Sequence, residues 1–280
     1  MNIKSIVKKK FVRVKKEKVL IPCLEGNLLD NRNAFITGGS SGIGFAIAES
    51  FLKNGASVTI CARNRERLEI AKQQLIAKCN CKEEKICILK LDISDVSNMK
   101  EELSLFLKNK KIDIFVNNAG INEGNLFPNT TEKEYDKVLE TNLKGMYFFS
   151  QEIAKYMMQN EIDGNILNIT SSSALRPGIS PYILSKWAER SLTLGMAKKY
   201  LPYGIVVNGL APGSTLTPMI RKDNINDINY DNSPANRFVA PEEIGNLATV
   251  LVSGMGRMIV GDTIYATGGA GLLTYDDAEY

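Results

Sequence analysis

The sequence predicts an α/β fold: one doubly wound domain with a parallel sheet of about seven strands flanked by helices. Two observations lead there. From Arg32 to about Gly269, short β-branched runs alternate with amphipathic stretches, at the spacing of βαβ units. The runs are apolar throughout rather than every second residue, as strands buried on both faces are. No linker or internal repeat divides the region, so one domain accounts for it better than two.

The elements follow in order. The strand runs are Ala34–Thr37, Ser57–Cys61, Ile86–Leu91, Ile112–Val116, Asn165–Ile169, Ile205–Val207 and Ile259–Tyr265. Between them, apolar residues recur at helical spacing in Phe45–Lys53, Arg65–Lys78, Met99–Lys108 and Tyr135–Met158, which predicts helices with one buried stripe. The expected layout is an N-terminal extension over 1–31, a single α/β domain over 32–272 and a short tail over 273–280. Residues 214–236 are rich in Asn, Asp and Pro and are expected to be an irregular lid.

Composition limits the chemistry. The chain has 280 residues and no His. Imidazole-dependent triads and most zinc or iron sites are therefore excluded, and acid–base work must fall to Tyr, Lys, Asp, Glu or Cys. The formal net charge is +4. Residues 1–18 carry eight basic side chains and one acid, and the remaining 262 carry 27 basic against 30 acidic. A mildly acidic body argues against nucleic-acid binding. Cys79, Cys81 and Cys87 cluster, but three thiols without His make a poor metal set, so no metal is expected. Five Cys without a signal-peptide pattern predict reduced thiols and a cytoplasmic chain. No apolar run is long enough to span a bilayer.

The first strand runs into Thr37-Gly38-Gly39-Ser40-Ser41-Gly42-Ile43-Gly44 and then a helix. Strand, glycine-rich turn and helix form a phosphate-binding context: glycine lets the backbone approach a pyrophosphate, and a helix N-terminus offers free N–H groups. The glycine spacing is G-x-x-x-G-x-G. The second strand ends in Ala62, Arg63 and Asn64. A carboxylate there would hold the 2′-hydroxyl of NAD; Arg63 instead suits the 2′-phosphate of NADP. NADP(H) is therefore expected over NAD(H).

Tyr182-Ile183-Leu184-Ser185-Lys186 puts a phenol and an ammonium on one face of a helix, where the ammonium favours the phenolate. Taken alone, such a pair is commonplace. With the TGGSSGIG turn, the chain resembles the compact branch of the short-chain dehydrogenase/reductase family, whose domain is Rossmann-like. Asp92-Ile93, Asn117-Asn118-Ala119-Gly120, Asn142, and Asn168-Ile169-Thr170-Ser171-Ser172 resemble its further motifs. So do Asn208 through Pro212-Gly213 to Thr217-Pro218-Met219, Pro241-Glu242-Glu243-Ile244, and Val260-Gly261 with Gly268-Gly269. The resemblance covers about residues 32–272.

The resemblance implies hydride transfer between a nicotinamide and a carbonyl or secondary alcohol. Tyr182 would exchange the proton with the substrate oxygen. Lys186 would lower its pKa and bind the ribose, Ser171 would polarise the carbonyl, and Asn142 would hold a relay water. Gly38, Ser40, Ser41, Gly42, Ile43, Gly44, Arg63, Asn64, Asp92, Ile93, Asn118, Ala119 and Gly120 would hold the dinucleotide. Tyr182, Lys186, Pro212, Gly213, Thr215 and Thr217 would meet its nicotinamide half. Three serines follow Thr170, and Ser171 lies only 11 residues before Tyr182, so Ser172 is the alternative catalytic serine. Counting from Ile169 favours Ser171.

The resemblance also implies a homodimer or homotetramer packed through the helices over Tyr135–Met158 and Tyr182–Tyr200. Arg221, Lys222, Asp223, Asn224, Asp227 and Asn232 make the lid polar, which points to a polar, sugar-like or hydroxy-acid substrate. A 3-oxoacyl-carrier reductase is an alternative, weakened because Gln159-Asn160-Glu161 and Tyr200–Tyr203 lack the Arg that docking an acidic carrier would use. A non-catalytic dinucleotide-binding regulator is a second alternative. In the arm, Ile3, Ile6, Val7, Phe11 and Val14 alternate with Lys. A membrane-surface helix over 1–18 is one reading; a disordered or docked extension is preferred, because Val12 and Lys8–Lys10 blur the faces.

Overall fold

The computed structural model describes residues 23–220 and 227–273. The basic arm, the lid residues Arg221, Lys222, Asp223 and Asn224, and the end of the tail lie outside the described residues.

Seven strands form one sheet: β1 (Asn33–Thr37), β2 (Ser57–Ala62), β3 (Ile86–Lys90), β4 (Ile114–Asn117), β5 (Asn165–Ile169), β6 (Val206–Pro212) and β7 (Thr263–Ala266). Their order is β3-β2-β1-β4-β5-β6-β7, and all six pairings are parallel. The crossovers are α1 (Gly42–Lys53), α2 (Arg65–Cys79), α3 (Val96–Leu107), α4 (Glu132–Leu139), α5 (Met146–Gln159), α6 (Pro181–Tyr200) and α7 (Pro241–Val252). This is the expected doubly wound, Rossmann-like domain. The strand order reverses between β1 and β4, and ligands of such sheets bind at the carboxyl ends of the strands flanking that point.

Two apolar layers cover the sheet. One packs Ile47, Phe51, Leu68 and Ile244 beneath β1 and β2. The other packs Phe35, Met99, Phe115, Phe149 and Ile153 on the opposite face. Phe115 and Phe149 stack with centroids 4.9 Å apart. Both faces of the central strands are thus dry, which is why the runs carry no polar alternation. Residues 23–31, assigned by composition to the extension, lie along this body: Leu29 is fully buried and its N–H donates to Asn54 O at 2.9 Å.

Strand β7 covers Thr263–Ala266, shorter than the expected Ile259–Tyr265 run, and two other elements also differ from expectation. The helix expected over Tyr135–Met158 is interrupted at Glu140–Gly145 by a wider, π-helical turn. Gly145 sits there because a Cβ would stand 2.7 Å from Ile93 O. Strand β6 continues to Pro212 rather than ending at Val207, since Gly209 to Pro212 pair with β7. Within the expected lid, Thr215 bridges Val239 and Asn229 bridges Arg237, and Tyr230 stacks on Phe238 at 4.3 Å. No helix among the described residues is long and apolar enough to cross a membrane.

Candidate active site

The glycine-rich turn leaves β1 with Gly38 at φ +65° and Gly42 at φ +55°, a backbone region that L side chains rarely adopt. A Cβ on Gly44 would lie 2.4 Å from both Gly38 O and Asn118 Nδ2, so turn and helix meet backbone to backbone with the Asn118 side chain closed on them. Asn118 ties them: its Nδ2 donates to Thr37 O at 2.9 Å and Gly38 O at 3.2 Å. Thr37 Oγ1 accepts from Asn118 N and Ala119 N. Ser41 precedes α1 without capping it, which leaves the first amides of that helix for an anionic ligand.

A cleft of about 340 Å³ opens over this turn. Gly38, Ser40, Ser41, Gly42 and Ile43 form its floor. Arg63, Asn64, Asp92 and Ile93 form one end, and Asn118, Ala119 and Gly120 its middle. Asn64 also caps α2, accepting from Arg67 N at 2.8 Å. Asp92 is oriented by Ser94, whose N–H and hydroxyl both donate to Oδ1 at 3.0 and 2.7 Å. Arg67 lines the same end. Sequence reasoning passed over it, although it stands four residues after Arg63.

Tyr182 and Lys186 line the far end. Ser180 caps α6 by accepting from Ile183 N, and Pro181 opens the helix with a φ suited to that position. One helical turn then separates the phenol from the ammonium, and Lys186 Nζ lies 5.6 Å from the Tyr182 ring centre. Asn142 lies in the widened turn after α4. It accepts from Ile121 N at 2.8 Å and donates to Ile121 O at 2.9 Å and Ser185 Oγ at 3.1 Å. Both of its polar ends are thereby spent on fixing the strand-end loop to α6.

Lys186 is 6% exposed and donates to both Glu189 oxygens at 2.9 Å and to Ile169 O at 3.3 Å. Burial opposes the Lys186 charge, but the charges of Glu189 and Tyr182 and the Glu189 bond hold it above its ordinary range. Burial pushes the Glu189 carboxyl up to about 7, against the pull of the ammonium. Sequence reasoning missed Glu189 too. An acid three residues after Lys186 on the same helix was the available signal.

Of the remaining expected residues, Thr217 lines the cleft and the others fall around it. Ser171 is 8% exposed at the end of β5, and its Oγ accepts from Ser173 N at 3.1 Å. Ser172 follows, also buried. Thr170 reaches the cleft wall. Gly213 packs on β7, where a Cβ would meet Thr267 Cα at 2.8 Å. Thr215 Oγ1 donates to Gly213 O at 3.0 Å. Pro212, Gly213 and Thr215 thus aim the segment that brings Thr217, Pro218 and Met219 over the turn. Cys79 donates to Glu49 O, and burial pushes its thiol up to about 12.

The sequence and the fold match those of known proteins. The short chain dehydrogenase family model matches residues 32–227. The chain is 31% identical to gluconate 5-dehydrogenase of Gluconobacter oxydans, covering 86% of this chain and 95% of that one. It is 32% identical to the 3-oxoacyl-acyl-carrier-protein reductase of Chlamydia pneumoniae, covering 88% and 98%. The crystal structure of a 3-ketoacyl-acyl-carrier-protein reductase from Brucella melitensis complexed with NADH superposes with a TM-score of 0.77 at 27% identity, covering 87% and 100%. The chain belongs to the short-chain dehydrogenase/reductase family of oxidoreductases.

Proposed function

We propose that this protein is an NADPH-dependent carbonyl reductase, able to run in reverse as a secondary alcohol dehydrogenase, with Tyr182 as the proton donor. The observation that carries it is one continuous cleft with the glycine turn at its floor, Arg63 and Arg67 at one end and Tyr182 and Lys186 at the other. The residues suit a dinucleotide. A side chain on Gly38 or Gly44 would fill the turn with a Cβ within 3 Å of its neighbours, which is the close approach a pyrophosphate needs. Two guanidinium groups beside the β2 end favour an extra phosphate over a bare hydroxyl.

When bound, the nicotinamide would supply the hydride. The protein's part is to place and charge the proton donor. Tyr182 gives its phenolic proton to the carbonyl oxygen as negative charge develops there. Lys186 stabilises the phenolate left behind, and its ammonium is the donor available to the cofactor ribose. Asn142 and Ser185 brace the loop facing Tyr182, and Ser171 stands at the β5 end as the candidate carbonyl donor, with Ser172 its alternative.

Similarity to gluconate 5-dehydrogenase supports a polyhydroxy keto acid as substrate, in keeping with the polar lid composition. A second reading, a 3-oxoacyl thioester, is favoured by the exposure of Met219 and Ile220 beside the cleft. Exposed Tyr147 on α5 and Trp187 and Leu194 on α6 support self-association through these helices. The domain limits of 32–272 and a cytoplasmic setting belong to the same proposal. The test follows NADPH oxidation with keto acids, 3-oxoacyl thioesters and simple ketones, with Tyr182→Phe as control. Turnover that survives in Tyr182→Phe refutes the proton donor; absence of turnover on every carbonyl favours a dinucleotide-binding regulator.

A further inference from the structure

Glu189 plays no part in the function proposed above, yet it is the acid that the ammonium of that function faces. It follows Lys186 by one turn of α6, and both residues are buried. Lys186 Nζ stands 2.9 Å from each Glu189 oxygen and reaches Ile169 O at 3.3 Å. Among the described residues the carboxylate bonds to Lys186 alone. Acids are almost never fully buried unless paired, and a buried ion pair at best roughly breaks even against apolar side chains of similar size. Fold stability therefore gives little reason for this pair. Its place gives a better one: Lys186 Nζ lies 5.6 Å from the Tyr182 ring centre, and both residues line the cleft.

Taking an ammonium out of water favours its neutral form. A neutral amine here would stabilise no phenolate. A carboxylate in contact with the ammonium opposes that proton loss. It also opposes loss of the Tyr182 proton, because either loss makes the surroundings of a fixed anion more negative. The sign is the same whichever of the two groups gives up a proton first. We propose that Glu189 is a positioning residue for the reduction: its fixed negative charge keeps Lys186 an ammonium in spite of burial, and so keeps the site in its proton-donating form as pH rises. This rests on the carbonyl-reductase reading of the site and deepens it.

The surroundings offer no substitute for this charge among the described residues. Glu189 and Tyr182 are the groups whose charges act on Lys186, and Lys186 is the one that acts on Glu189. Elsewhere on α6, Arg190 faces the rings of Trp187 and Tyr265, Lys198 and Lys199 are exposed, and Tyr200 faces Tyr147 and Lys155. The neighbouring strands present amides and hydroxyls: Asn168 on β5 donates to Thr193 Oγ1, which donates to Glu189 O, and Asn208 on β6 meets Ile259 O. Asn142 meets Ser185. The charged side chains of 132–145 are exposed apart from half-buried Glu134, which bonds Thr131 and Asn125. On the turn after β5, the Arg176 side chain lies beside Gly271, where a Cβ would stand 3.7 Å from its Nε. The balance shows on Lys186: burial pulls it down, and the charges of Glu189 and Tyr182 with the Glu189 bond outweigh burial and hold it above its ordinary range. Glu189 itself, raised by burial to about 7, is ionised across the alkaline range in which Lys186 would lose its charge.

The experiment takes two readings on the full chain. The first is NMR of the lysine Cε carbons in the free protein, with the Lys186 signal identified by its loss in Lys186→Met. Wild-type Lys186 should remain an ammonium at about pH 10, where exposed lysines begin to lose theirs. Glu189→Gln keeps the shape and removes the charge, and should move the Lys186 titration to lower pH by roughly one unit or more. The second reading is the pH profile of kcat/KM for NADPH-dependent reduction of the carbonyl that turns over fastest in the panel above. Its alkaline limb should move to lower pH in Glu189→Gln and return in Glu189→Asp, which restores the charge. Wild-type Lys186 that titrates with the exposed lysines, or below them, overturns the inference without any variant. A Glu189→Gln profile lowered evenly at every pH, with the Lys186 titration unmoved, is what a packing role would give; while Tyr182→Phe stays inactive, it overturns this inference alone. Failure of wild type to reduce any carbonyl overturns it together with the carbonyl-reductase reading.

Discussion

At the β1 end of the cleft the chain works through its backbone: Gly38 and Gly44 bring groups together where a Cβ would stand within 3 Å of its neighbours, and Gly42 turns the chain at φ +55°. At the α6 end it works through side chains: buried Lys186 bonds buried Glu189 and stands 5.6 Å from the ring centre of half-buried Tyr182. The first arrangement is steric and tolerates no added atom. The second is electrostatic and tolerates substitution, at the expense of chemistry rather than of the fold. Mutations should therefore separate the two ends cleanly.

The largest effect is expected from Tyr182→Phe, which should lower kcat by about 10²–10⁴-fold and leave the melting temperature and NADPH binding close to wild type. A variant that binds cofactor poorly instead would show that the two ends are not separable. Gly44→Ala should do the reverse. Its Cβ meets backbone at 2.4 Å, so stability should fall by about 1–3 kcal/mol in denaturant melts, with weaker cofactor binding. Arg63→Ala and Arg67→Ala should each narrow any preference for NADPH over NADH by roughly 10-fold, the scale of one charged hydrogen bond. A ratio of dissociation constants unchanged in both variants would remove the guanidinium pair from recognition.

Gly195 supplies the contrasting control. It lies within α6, and nothing stands within 4 Å of a Cβ built there. Gly195→Ala should raise stability by about 1 kcal/mol, which a thermal melt would detect. The smallest effect concerns Asp113 beneath β1. Burial alone would raise its carboxyl, but its bonds to Lys111 and Asn33 outweigh this and hold it low. That stability is present above the unfolded carboxyl range, near pH 4, and is lost as pH falls through the lower native value. Asp113→Asn should flatten the stability curve in that acid window.

Legibility differed between the ends for the same reason. The turn is contiguous, so Gly38 to Gly44 could be read directly, and Tyr182 and Lys186 share a helix face. Asn142 was recognised by motif. The widened turn around it was not, because its cause is the approach of Gly145 to Ile93 O, about 50 residues away in sequence. Arg67 and Glu189 escaped because charged residues at helical spacing usually face solvent. Burial alone distinguishes Glu189 from exposed Glu132 and Asp136 of α4.

Sequence by itself determined the parallel doubly wound sheet, the glycine-rich turn and the phenol–ammonium pair. Each depends on local periodicity, on glycine spacing or on residues one helical turn apart. Only the tertiary structure decided that Lys186 is buried against Ile169 O and that its partner is a buried acid. Those facts depend on which atoms from β5 and α6 are brought together, and on how far water is excluded from them.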